Sequence, residues 1–156
     1  MFSHRAAASQ DFNEIAKFPQ DARELFFMYP KGVYPLTADQ LEKAASTRIR
    51  PTVVLHGDHV AGYCNIIEVI EDSSWLGNFI VNPSYRGMGA GKYLIEAMKE
   101  VAKSELRVKR FRLLCHSTNT DALLFYTKLG FKPFDSNIKT DHEGKPIVGI
   151  KLEVTL

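Results

Sequence analysis

Residues 82–94 read NPSYRGMGAGKYL. Three glycines fall within five positions here. The apolar run WLGNFIV precedes them, and a segment follows in which Leu94, Ala97, Met98, Val101 and Ala102 recur at helical spacing. The run reads as a mid-sheet strand and the segment as an amphipathic helix with one buried stripe. Glycine near a helix start costs stability relative to alanine, so this junction needs bare backbone. A strand, a glycine loop and a helix start together make an anion site. Peptide N–H groups are unpaired there, and the helix dipole favours negative charge. The chain is thereby expected to fold with a strand feeding a helix directly, and the glycines serve either a phosphate-bearing ligand or a tight turn that needs positive φ.

Two familiar phosphate loops do not fit. A P-loop ends in Gly-Lys-Ser/Thr, preceded by a glycine and four residues. Gly91 and Lys92 supply the ending, but Arg86 stands at the first glycine position and Tyr93 at the hydroxyl position. The dinucleotide pattern G-x-G-x-x-G places its last glycine on Lys92 or Leu94.

The rest of the chain supplies the partners of this unit. Residues 2–7 read as a first strand. SQDFNEIAKF reads as a helix with Ser9 or Asp11 as cap, interrupted by Pro19. QDARELFFMY makes a second helix, and Thr37 with Gln40 forms a capping box that opens a third. TVVLHG and HVAGYCNIIEVIE are β-branched and aromatic and flank a Gly-Asp turn, so they read as a hairpin. RFRLLCHS is a strand. NTDALLFYTKLG is a helix with Asn119 as cap and Gly130 as stop. Residues 131–137 and 146–155 read as two last strands around the turn DHEGK. The expectation is an α/β chain (α+β by some schemes): one domain over residues 1–156, with a mixed sheet of about six to seven strands flanked by helices.

Composition narrows the function. A net charge of +2 is too small to argue for nucleic acid. No apolar run approaches membrane-spanning length, and the N-terminal stretch lacks a signal-peptide core; a cytoplasmic protein that engages no membrane is expected. Cys64 and Cys115 cannot form a disulfide framework and read as buried thiols rather than acyl carriers.

Arg86 to Gly91 matches Arg/Gln-x-x-Gly-x-Gly/Ala. Downstream, Asn119, Ala122, Phe125, Tyr126, Lys128, Gly130 and Phe131 match N-x-x-A-x-x-F-Y-x-K-x-G-F. Together these blocks resemble the GNAT superfamily of N-acetyltransferases across residues 60–135; the resemblance fades before residue 50, in the segment that varies with acceptor. It implies acetyl-CoA as co-substrate and no metal. It also implies that the fourth and fifth strands splay, so that backbone of Phe79, Ile80 and Val81 pairs with the pantetheine arm and polarises the acetyl carbonyl. The pyrophosphate is expected across Arg86, Gly87, Met88, Gly89, Ala90, Gly91 and Lys92, and Asn119 is expected to bond the cofactor arm. Tyr126 is expected beside the thioester sulfur as general acid.

The general base is left open. Some relatives carry a glutamate where this chain has Leu114. His116, or Glu68, Glu71 and Asp72 through water, are the alternatives. Tyr29 and Tyr34 flank prolines in the variable segment and are expected to wall the acceptor cleft, whereas Phe26 and Phe27 read as helix core. The acceptor is a small amine, a lysine or a protein N-terminus, and an exposed late strand or helix offers a surface for a homodimer. The rival reading is a non-catalytic acyl-CoA-binding sensor.

Overall fold

Alternation along the strands builds a sheet with two buried faces. The computed structural model describes all 156 residues. β1 (Phe2–Ala6), β2 (Ile49–His56), β3 (His59–Ile70) and β4 (Ser73–Val81) form a run of antiparallel neighbours, with the expected Gly57-Asp58 turn between β2 and β3. β5 (Arg110–His116) lies parallel to β4. β6 (Lys132–Thr140) and β7 (Pro146–Thr155) complete a seven-stranded sheet in the order β1-β2-β3-β4-β5-β7-β6. The mixed α/β sheet expected from sequence is therefore present, with β7 inserted between β5 and β6.

Successive residues of β2 and β3 serve opposite faces, as the period of two requires. Val53, Val60 and Tyr63, with Ile80 of β4, pack against Phe12, Ile15, Leu25 and Leu41. These come from α1 (Phe12–Ile15), α2 (Ala22–Met28) and α3 (Ala38–Ala45). On the other face Val54, Ala61, Cys64 and Ile66 pack against Leu94, Ile95 and Met98 of α4 (Ala90–Glu100) and, with Phe111, against Tyr126 of α5 (Thr120–Lys128). α4 continues into a π-turn, Val101–Glu105, which keeps Ala102 buried at the end of the expected stripe. No helix is long and apolar enough to cross a membrane.

Several caps differ from expectation. α1 is only four residues long after a 3₁₀ turn, Ser9–Asp11. Asp11 does not cap it. Its carboxylate accepts the Ala8 N–H at 2.7 Å and pairs with both terminal nitrogens of Arg5 at 2.7 and 3.0 Å, which holds it below the usual carboxylate range. Ser9 turns its hydroxyl to Glu42 instead. Thr37 does cap α3, accepting the Gln40 N–H at 3.3 Å, but the Gln40 side chain spans Val33 and so completes only half a capping box.

Candidate active site

β4 and β5 are joined only at their beginnings. Ser73, Ser74 and Trp75 pair with Arg110, Phe111 and Arg112; beyond that point the two strands carry no ladder. Two features of β4 help part them. The β3–β4 register slips twice, and Asn78 adopts φ +49° at a bulge buried beneath α2. The gap opens into a cleft of about 1210 Å³ whose walls include Phe79, Ile80 and Val81 on one side and Leu113 to His116 on the other. The parted edges expose backbone groups that a sheet normally pairs.

The glycine loop forms one end. Gly87 and Gly89 have φ of +78° and +93°, and Gly89 occupies the N-cap position of α4. The first N–H groups of α4 have no intrahelical acceptors and line this end of the cleft. Gly91 serves a different purpose. A Cβ there falls 3.2 Å from Phe125, 3.3 Å from Phe79 and 3.4 Å from Val81, so its bareness lets α4 close on β4 and α5. Ala90 is buried beside it, and Lys92 is exposed on the rim. Met88 is 53% exposed and does not line the cleft. Arg86 is not simply solvated: it pairs with Glu24 of α2 at 2.8 Å and donates to the Val81 carbonyl at 3.3 Å.

Opposite the loop, α5 brings Asn119 and Tyr126 to the same gap. Asn119 sits at the N-cap of α5, but its side chain makes no capping bond; its carbonyl accepts the Leu123 N–H instead. The expected side-chain cap is thus absent, and the carboxamide faces the cleft unengaged. Tyr126 is buried against Phe79, Phe125 and Phe131, and its hydroxyl has no hydrogen-bond partner in the protein. Burial, with the Cys115 and Cys64 thiols nearby, pushes its pKa far above the tyrosine range. Cys115 lies in the same wall, and burial pushes its thiol up to about 12; Cys64 is fully buried and raised further. Neither is a thiolate at neutral pH, so neither is an activated nucleophile.

His116 is 2% exposed, with its Nε2 buried and unpaired. Its ring lies 4.4 Å from that of Phe26 and 6.0 Å from that of Phe27. Desolvation, helped by the charge of Lys139, lowers its pKa to about 4.

The family model described as the acetyltransferase (GNAT) family matches residues 13–131. The chain belongs to the GNAT acetyltransferase family. A Bacillus subtilis protein provisionally named [ribosomal protein bS18]-alanine N-acetyltransferase is 33% identical over 81 residues, which cover 52% of this chain and 52% of that protein. A mycothiol acetyltransferase of Thermomonospora curvata is 31% identical over 77 residues, 49% of this chain and 26% of that one. The matched stretches thus span about half or less of these curated relatives. Among solved structures, a spermidine N-acetyltransferase from Vibrio cholerae in complex with CoA and spermine superposes with TM-score 0.81 at 19% identity, over 99% of this chain and 95% of that one. The ribosomal-protein-S18-alanine N-acetyltransferase from Escherichia coli does so with TM-score 0.76 at 18% identity, over 99% and 94%.

In this GNAT chain α2 and its flanks wall the second end of the cleft. Phe26, Phe27 and Tyr29 all line it, so Phe26 is both helix core and cleft wall. Tyr34 does not reach the cleft. It is 47% exposed on the loop after α2, where its hydroxyl donates to the Gln20 carbonyl at 3.5 Å. Glu68, Glu71 and Asp72 also lie outside: Glu68 pairs across to Trp75 in the ladder, and the other two form the exposed β3–β4 turn. Of the candidate bases only His116 reaches the cleft. Sequence reading missed Arg48 and Trp75, which line it as well. Nothing in the spacing around Arg48 singles it out, because its placement depends on contacts with β3 and β4.

Proposed function

We propose that this protein transfers an acetyl group from acetyl-CoA to an amine by direct attack in a ternary complex. One observation carries the reading. The parted edges of β4 and β5 enclose Tyr126, a buried tyrosine whose hydroxyl makes no hydrogen bond within the protein, beside a helix start capped by a glycine at positive φ. The groups present fit the co-substrate. Phe79, Ile80 and Val81 offer a strand edge to the pantetheine amides. Gly87 to Lys92 offer peptide N–H groups and one ammonium to the pyrophosphate, and Asn119 offers a carboxamide to the arm. Bound there, acetyl-CoA supplies an activated thioester.

A backbone N–H of β4 polarises the acetyl carbonyl by donating to the oxygen as it gains charge. The N–C bond forms as the C–S bond breaks. The amine releases one proton to water, the sulfur takes one from Tyr126, and water restores the phenol. Burial keeps Tyr126 protonated at any working pH.

The same physics removes the need for a strong base. His116 is a neutral imidazole at neutral pH, because desolvation and Lys139 disfavour positive charge around it. A bound ammonium meets the same penalty and enters as the neutral amine, with the unpaired His116 ring nitrogen as a hydrogen-bonding partner. The test is to follow free thiol released from acetyl-CoA against a panel of amines and peptides, alongside calorimetric binding of CoA. Amine-dependent thiol release supports transfer. Tight CoA binding with no release from any amine would leave the sensor reading.

A further inference from the structure

Arg48 is held by a chain of buried polar groups. Its Nη1 donates to Asn65 Oδ1 at 3.1 Å. Asn65 Nδ2 donates to the Tyr63 hydroxyl at 3.0 Å and to Asn78 Oδ1 at 2.9 Å, and Asn78 Nδ2 donates to the Met28 carbonyl at 3.0 Å. Tyr63, Asn65 and Asn78 are 0, 0 and 5% exposed. Burying such groups is costly unless their hydrogen bonds are made, and here the chain of bonds ends on a guanidinium that lines the cleft. The β4 backbone makes room for it. A Cβ on Gly77 falls 2.5 Å from Nη1, so any side chain there displaces Arg48.

This cation has no anionic partner. None of the ion pairs in the molecule includes Arg48. Arg23, Lys31 and Lys139 line the cleft from α2, the loop after it and β6, and they too lack carboxylate partners. The walls carry two carboxylates. Glu24 is taken by Arg86, and Asp121 stands in the first turn of α5. Arg86 and Lys92 lie at the loop end, where phosphates are expected. The surplus positive charge therefore sits where the acceptor enters, among Phe26, Phe27 and Trp75.

We infer that the acceptor is an amine bearing a carboxylate, which Arg48 holds while the amine faces the thioester; this rests on the acetyl-transfer reading. A polycationic amine is disfavoured by the same wall. Gly77 lies two to four residues before Phe79–Val81, at most about 7–13 Å, since the Asn78 bulge shortens the path of a regular strand. That spacing suits an amine and a carboxylate several bonds apart rather than joined through one carbon.

The experiment compares 6-aminohexanoate, hexylamine and 1,6-diaminohexane as acceptors by thiol release, with the C-terminally amidated peptides Ala-Glu-NH2 and Ala-Gln-NH2 as a second arm. Wild-type kcat/KM is expected to favour the carboxylate-bearing member of a pair by about 10–100-fold, the range of a charge-assisted hydrogen bond. The diamine is expected to fall below hexylamine. The carboxylate preference shrinks in high salt, drops to near unity in Arg48→Gln, and is partly retained in Arg48→Lys, which keeps the charge but not the fork. Preference confined to Ala-Glu-NH2 identifies a peptide source for the same chemistry; preference for 6-aminohexanoate identifies a small molecule. Equal or better use of hexylamine or the diamine by the wild type overturns the inference, as does an unchanged preference in either variant with a native melting curve. If no amine is acetylated, the transfer reading fails, and calorimetry of 6-acetamidohexanoate on the CoA-loaded protein decides the anion site. Binding that Arg48→Gln abolishes supports it, and absence of binding to the wild type overturns it.

Discussion

Around Gly89 the cleft presents peptide N–H groups at the start of α4, whereas around Arg48 it presents side chains held by other side chains. The first arrangement is local: strand, loop and helix are contiguous in the chain, and bare backbone has to be written as glycine. The second is assembled from residues 28, 48, 63, 65, 77 and 78, which adjoin only once α2, β3 and β4 have packed. An end made of backbone suits a ligand part common to a whole family. An end made of side chains can be rewritten for each acceptor without disturbing the first.

Five substitutions, one of them with a control at Gly144, test that division. The largest effect is expected from Tyr126→Phe, which removes the hydroxyl between the two ends and leaves the ring packing. Turnover should fall by about 10²–10⁴-fold, nearer the low end because a thiolate is a fair leaving group, with CoA affinity and melting temperature nearly unchanged. Steady-state kinetics with an active acceptor measure it, and wild-type turnover in the Phe variant would defeat the acid assignment. A loss confined to KM would assign the hydroxyl to binding.

Gly89→Ala comes next. Alanine at φ +93° costs about 1–2 kcal/mol, so the melting temperature drops by a few degrees. Gly144, in the β6–β7 turn at φ +79°, takes the same penalty far from the cleft and serves as the control. Both variants should be destabilised alike, but only Gly89→Ala should weaken CoA binding, by about tenfold or more by calorimetry. Equal affinities would mean that the loop is a turn and nothing else.

A smaller effect belongs to His116. Its folded pKa of about 4 lies below the unfolded value of 6.5, so the folded state refuses a proton that the unfolded chain accepts. This contribution is complete above pH 6.5 and is lost as pH falls from there toward 4. Melting temperatures between pH 7.5 and 5 should therefore decline less steeply in His116→Phe than in wild type. Parallel curves would contradict the desolvated environment, and with it the argument for neutral amine entry.

The smallest effects separate two tyrosines. Tyr29→Ala should raise the acceptor KM by a few fold, and Tyr34→Ala should change neither acceptor kinetics nor CoA affinity, since only Tyr29 lines the cleft. An acceptor effect from Tyr34→Ala alone would place the acceptor outside the cleft described.

The sequence carries much of this architecture and only part of this site. The helices and the central strands were legible from periodicity, because each buries one face or both, whereas the outer strands β1 and β6 are mostly exposed and were legible only from their residue types and flanking turns. The caps at Ser9, Asp11 and Asn119 were misjudged, since competing partners (Arg5 for Asp11, Glu42 for Ser9) lie far along the chain or on another element. The glycine loop was legible as a strand-to-helix junction with bare backbone at positive φ, but Gly91 was not legible as a packing contact, because its neighbours Phe79 and Phe125 come from other elements. Tyr34 and Tyr29 have equivalent local contexts beside prolines; only the path of the loop after α2 distinguishes them. Arg48 had no local signature at all.

The brevity of the β4–β5 ladder has a mechanical consequence. β1 to β4 form one antiparallel raft and β5, β7 and β6 another, and the backbone seam between them is short: three ladder pairs, and the Lys109 and Arg110 N–H groups donating to the Asp72 carbonyl at 2.9 and 3.0 Å. Beyond that seam the rafts are joined by side-chain packing through α4 and α5, by Arg112 and Phe134 against Trp75, and by Phe26 of α2 against His116. A strand-like molecule lying in the gap lengthens that seam from both sides. Such a molecule would be a structural member as well as the proposed reactant, stiffening the joint between the two rafts.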